Sequence, residues 1–230
     1  MSTGRWLHIC CTVTILVVSL TCWWSSAFCG PIADNFRPVV DRICSVLTDP
    51  AYATPEKKQE RDKLLHAIAS ERFDWEEMAR RAIGAPWREW TSAQQKEFID
   101  VFVDFLERIY LSKIDLFLKK TKDFSSRNIS YTNEIVEGRY AMLESKITIH
   151  DQTFPLQYKM LLKNGNWMVY DVTIEGVGLV ANYRSQFRDI LAKESFESLI
   201  ARLKSQQPDL TSAGEVPQHL SDNATAKPLQ

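Results

Sequence analysis

The residues best equipped for chemistry in this 230-residue chain are few, and their spacing gives them little to do together. Its four histidines, His8, His66, His150 and His219, stand far apart, and none has another His, Cys, Asp or Glu at metal-ligand spacing on one face. No metal site is predicted. The sequence has no Walker loop, no dinucleotide glycine fingerprint and no Gly-x-Ser-x-Gly elbow, so no cofactor and no catalytic residue is assigned. Cys44 lies among Val40, Ile43, Val46 and Leu47 at helical spacing and reads as a small buried hydrophobe rather than a nucleophile. One acid–base pair survives. A buried carboxylate beside a tyrosine in a curved sheet serves small isomerases and dehydratases, and Asp171 opposite Tyr158 fits that pattern. Against it, a carboxylate near a sheet edge is satisfied by backbone donors or by Arg184 without any chemistry.

Positioning that pair is the work of a hairpin. Asn164-Gly165 is the strongest short hairpin signal, because both central residues of a type I′ turn need positive φ. Counting outwards pairs Leu162 with Trp167, Met160 with Val169 and Tyr158 with Asp171 on the core face, while Leu161 with Met168 and Lys159 with Tyr170 fall on the other. A preceding strand adds Ala141, Leu143, Ile147 and Ile149 to the core side, and a turn at Gly138 links it to a strand over 129–136. Upstream the apolar spacing is helical. Thr54-Pro55 opens one helix, Asp74 caps a short one that Gly84 ends, and Thr91 caps a long one running to about Lys119. The long helix carries two apolar stripes, Phe98, Phe102, Phe105, Ile109 and Leu116 beside Ile99, Val103, Leu106, Tyr110 and Phe117, so it is expected to be buried on both sides, between a helical layer and the sheet. After Gly178 a helix through Leu179, Tyr183 and Phe187 follows, and Ser195 caps another. The fold class is α+β: a curved antiparallel sheet of about four strands packed on a helical layer, with a central long helix and an internal apolar cavity, in the manner of a cystatin-like roll with a helical subdomain.

Composition agrees with one globular unit, at 45% hydrophobic and 25% charged residues. A formal net charge of -1 supplies no global positive field for DNA or RNA, so nucleic acid is not an expected partner. Arg5 followed by an uncharged run from Trp6 to Ala27, with Ser25 and Ala27 before a cleavage point, predicts a secretory signal over 1–29. An uncleaved membrane anchor is the competing reading, given Trp23 and Trp24 at the far end of the run. Of five cysteines, Cys10, Cys11, Cys22 and Cys29 fall in that segment, which leaves no disulfide framework. The expected domain occupies 30–206, and the polar stretch 207–230 reads as a disordered tail.

Three stretches resemble a known family. Phe73-Asp74-Trp75-Glu76-Glu77-Met78-Ala79-Arg80, Trp87-Arg88-Glu89-Trp90-Thr91, and above all the run from Val169-Tyr170-Asp171-Val172 to Arg184-Ser185-Gln186-Phe187 are similar to the MlaC/toluene-tolerance family of periplasmic phospholipid-binding proteins, including its hopanoid-associated branch. The resemblance spans about Arg37 to Leu203. It implies a non-enzymatic periplasmic carrier that holds a phospholipid or hopanoid-type lipid and exchanges it with an inner-membrane ABC transporter complex and an outer-membrane lipoprotein complex. The side chains expected to receive acyl chains are Phe105, Ile109, Tyr110, Leu143, Ile147, Met160, Leu162, Trp167, Val169, Tyr183 and Phe187. Gly178 departs from the family, which commonly has Ser there.

Overall fold

The computed structural model describes residues 30–205 apart from 122 and 151. The signal and tail readings lie outside the described residues. Six α-helices and one sheet are described: α1 Pro31–Thr48, α2 Lys58–Ala69, α3 Trp75–Ile83, α4 Ser92–Lys120, then β1 Ile129–Glu137, β2 Tyr140–Ile149, β3 Gln152–Lys163, β4 Asn166–Ile174 and β5 Val177–Gly178, then α5 Leu179–Leu191 and α6 Phe196–Ser205.

Local chemistry sets most of these boundaries. Thr91 starts α4 with a capping box, its hydroxyl accepting from Gln94 N while the Gln94 side chain reaches back to Thr91 N. Asp74 Oδ1 accepts from Glu77 N at 3.1 Å to start α3, and Gly84 ends it at φ 75°, a conformation open to glycine. Ser195 Oγ accepts from Ser198 N at the start of α6. Thr54-Pro55 opens a single 3-10 turn, Pro55–Lys57, before α2 begins, and Thr54 makes no side-chain cap.

The sheet is a meander in the order β1-β2-β3-β4-β5, all neighbours antiparallel. The Asn164-Gly165 turn has positive φ at both residues and fixes Leu162 opposite Trp167 and Met160 opposite Val169, as the sequence predicts. Beyond that point the expected register fails. A bulge leaves Lys159 paired with Asp171 and Tyr158 with Val172, so Tyr170 is the extra residue and Asp171 shares the face of Lys159 rather than that of Tyr158. A fifth strand, β5, joins the expected four because Glu175 and Gly176 both adopt positive φ and turn the chain straight back onto Ile174. The outer edge of β4 is covered twice, by β5 at one end and at the other by the segment before α3, where Val169 N donates to Arg72 O at 2.7 Å and Asp74 N donates to Val169 O at 2.8 Å.

Apolar side chains gather in two clusters rather than one. The helical cluster joins Met78, Ala82 and Ile83 of α3, Phe98, Phe102 and Phe105 of α4, Tyr183 and Phe187 of α5, and Leu199 and Leu203 of α6. The sheet cluster joins Leu143, Tyr158, Met160, Val169 and Val172 to Ile32, Ala33 and Phe36 of α1. Phe73 packs against both. Thus α1, not the long helix, covers the inner sheet face, and the two stripes of α4 are taken up by its helical neighbours only as far as Ile109. What holds α1 there is Glu134 of β1, whose carboxylate accepts from Ala33 N at 2.6 Å and Ile32 N at 3.3 Å. These are N–H groups that no helical partner can reach.

Polar clamps tie α2 to α4. Arg61 donates to both oxygens of Asp115 at 2.7 and 2.9 Å, and His66 Nδ1 lies 2.7 Å from Glu107 Oε1. Burial opposes ionisation at Asp115, but the Arg61 guanidinium outweighs it and holds the carboxyl below its ordinary range. At Glu107 burial wins over His66 and pushes the carboxyl up. A depressed folded-state pKa contributes stability above the unfolded value and loses it as pH falls through the folded one. Arg61→Ala is therefore expected to destabilise the protein at neutral pH, with the gap to wild type shrinking once pH drops below about 4, where free aspartate titrates. Urea denaturation across a pH series measures this directly.

Candidate functional site

The one acid–base pair legible in the sequence is taken apart by the fold. Asp171, 3% exposed, accepts from Val180 N at 3.0 Å through Oδ1 and from Lys159 Nζ at 3.1 Å through Oδ2. Both oxygens are engaged, one on the first turn of α5. Gly178 occupies the N-cap position of that helix and carries no side chain to serve it, so the strand supplies the acceptor instead. Tyr158 lies in the sheet cluster, where burial pushes its phenol up to about 12 against the opposing influence of Ser145. Arg184, the other expected partner of Asp171, lies beside Gly84, where an added Cβ would sit 3.2 Å from its Nε.

A second constellation has no sequence signal, since Glu107 of α4 lies 41 positions from His66 of α2. Ser70 Oγ is 3.5 Å from His66 Nε2, and His66 Nδ1 meets Glu107. The order is that of a hydrolytic triad, but the bonding is not. The Ser70 hydroxyl donates to His66 O at 2.8 Å and accepts from Trp75 Nε1 at 2.9 Å, so its proton is directed at a helix carbonyl. The N–H groups of Ser70, Glu71, Arg72 and Phe73 all bind backbone carbonyls, which leaves none of them to stabilise an oxyanion. Among the described residues no three His, Cys, Asp or Glu side chains are grouped to hold a metal ion. Burial, then Asp41, pushes the Cys44 thiol up to about 11, consistent with a packed hydrophobe.

The apolar candidates divide between the two clusters. Phe105, Ile109, Tyr183 and Phe187 are buried in the helical one, with Tyr110 at its margin. Tyr183 and Phe187 stack at 5.7 Å between ring centroids, and Phe102 and Phe105 meet Tyr183 edge-on. Leu143, Met160 and Val169 are buried in the sheet cluster, Trp167 packs against it, and Ile147 and Leu162 are half-buried on their strands. Burial along α4 fades after Ile109. Tyr110, Ile114, Phe117 and Leu118 are half-buried, and Leu116 is 59% exposed. Phe124 joins this row by an edge-on contact with Phe117 at 5.7 Å. Ile114, Phe117, Leu118 and Phe124 share this partial cover and do not stand among the side chains expected to receive acyl chains.

The family match covers residues 37–205 and is to the MlaC protein family. The chain belongs to the MlaC family. Its fold is also that of a phospholipid-binding protein from Ralstonia solanacearum, solved in complex with a phospholipid. The TM-score is 0.62 at 19% identity, over 79% of this chain and 99% of that one. In this MlaC family member Asp171 is thus placed by geometry in a capping role.

That role predicts a thermodynamic cycle. Asp171→Ala should cost about 1 to 3 kcal/mol, the penalty of orphaning a buried donor. Gly178 has φ -77° and would place a Cβ 3.4 Å from Asp171 Oδ2, so serine fits there and can cap the helix locally. In the Gly178→Ser background the Asp171→Ala cost should fall, as chemical denaturation of the four proteins would reveal.

Proposed function

We propose that the protein is a soluble periplasmic lipid carrier. It holds the acyl chains of a phospholipid or hopanoid-type lipid and exchanges them with an inner-membrane ABC transporter complex and an outer-membrane lipoprotein complex. The observation that carries this reading is the MlaC match across most of the chain, with a structural neighbour solved in complex with a phospholipid. Physical chemistry supports it. Two apolar clusters joined through Phe73 and a row of large apolar side chains left half-covered along α4 suit a protein that completes its interior with cargo. At about 0.8 kcal/mol per methylene kept from water, enclosing two acyl chains offsets most of the penalty of carrying them through an aqueous compartment. Among the described residues no helix is long and apolar enough to cross a membrane.

The chains would lie between the clusters, against Phe105, Ile109, Tyr110, Tyr183 and Phe187 on the helical side and Leu143, Ile147, Met160, Leu162, Trp167 and Val169 on the sheet side. Two tryptophan substitutions separate packed core from cargo space. Val169 is 0% exposed, so Val169→Trp should overpack the sheet cluster and destabilise it by about 1 to 3 kcal/mol or more. Ile147 is half-buried, and Ile147→Trp should leave the thermal midpoint near wild type while lipid extracted from the purified protein falls sharply. Organic extraction and mass spectrometry of protein made in its own host read both. Absence of stoichiometric lipid from the wild type would overturn the carrier reading.

A further inference from the structure

Beside Glu134, which is taken up by the start of α1, three hydroxyls interrupt the largely apolar inner face of the sheet. Tyr131 of β1 and Ser145 of β2 are cross-strand partners, and Tyr158 of β3 faces the neighbouring Leu143. Phe36 of α1 covers them, its ring 4.8 Å from that of Tyr158 and 6.4 Å from that of Tyr131. Ser145 is 1% exposed, and neither its Oγ nor Tyr131 Oη has a hydrogen-bond partner among the described residues. Ser145 sits near enough to influence the Tyr158 phenol, yet not in bonding geometry with it. A buried hydroxyl without a partner destabilises the fold, and phenylalanine or alanine would fill the same space without that penalty. Two such groups on directly paired residues are unused bonding capacity at one place. Burial, then the neighbouring Tyr158, pushes the Tyr131 phenol well above its ordinary value, so it remains an O–H donor at any physiological pH.

We propose that Tyr131 and Ser145 form a polar subsite within the lipid-binding interior, donating hydrogen bonds to an acceptor oxygen of the cargo, the ester carbonyl of an acyl chain. This rests on the carrier reading and deepens it, since it makes the protein discriminate ester-linked from ether-linked chains of equal length. A carbonyl oxygen has two lone pairs and can accept from both hydroxyls, whereas an ether oxygen is the weaker acceptor. Ordered water is the other possible source of an acceptor oxygen, and it would confer no such preference.

The test offers the purified full chain mixed vesicles containing equal amounts of dioleoyl phosphatidylglycerol and its diether analogue, then measures the bound ratio by mass spectrometry. The wild type is expected to favour the diester about five- to tenfold, the size of one net neutral hydrogen bond. Tyr131→Phe, Ser145→Ala and the double variant remove only atoms without a protein partner, so each should fold with an undiminished thermal midpoint while uptake of the diester falls towards that of the diether. In the double variant the preference should vanish. Equal uptake of the two lipids by the wild type, or a preference that survives in the double variant, overturns the subsite while leaving the carrier reading intact. Uptake of neither lipid by the wild type overturns the phospholipid form of the carrier reading and the subsite with it.

Discussion

A helix that abuts a sheet arrives with first-turn N–H groups that nothing in the helix can bind, and here strand carboxylates meet them. Glu134 of β1 receives the start of α1, and Asp171 of β4 receives the start of α5. Asp74 does the same for α3 from within its own segment, while Lys163 of β3 binds its other oxygen at 2.9 Å. Each carboxylate sits where the partial positive charge of a helix N-terminus favours it. Since α1 and α5 belong to different apolar clusters, these contacts determine which helix covers the inner sheet face and which joins the helical core.

The division into two clusters changes how the interior is understood. A single close-packed core would leave no reason for the large apolar side chains that α4 carries past Ile109, only partly covered. With two clusters, each can be dense and stable in its own right. Phe73 is where they meet, and its flanking residues are pinned to β4 through Val169 by backbone hydrogen bonds on either side.

Legibility in the sequence followed the range of the interaction. The Thr91 capping box, the Asp74 cap and the Asn164-Gly165 turn each depend on residues within a few positions, and each stands where the spacing puts it. The bulge at Tyr170 does not. It arises where Lys159, Asp171 and the start of α5 meet, and no glycine or proline marks it. The β5 turn escaped because Glu175, not Asn or Gly, takes the first positive φ. Of the expected lining residues, periodicity identified those that are apolar and inward. It could not say which cluster each would join, because that depends on where α1 lands.

The Glu134 contact also bears on the order of assembly. Ala33 and Glu134 are 101 positions apart, so a chain that emerges from its amino end produces α1 long before the carboxylate that receives it. Until β1 and β2 have formed, Ile32, Ala33 and Phe36 have no sheet to cover. The helical core closes comparable separations, since Met78 of α3 shares its cluster with Tyr183 and Phe187 of α5, and both it and the seating of α1 carry a large loop-closure cost. Seating of the first helix thus waits on the sheet, and through that interval its apolar face needs shielding by a chaperone or by dilution.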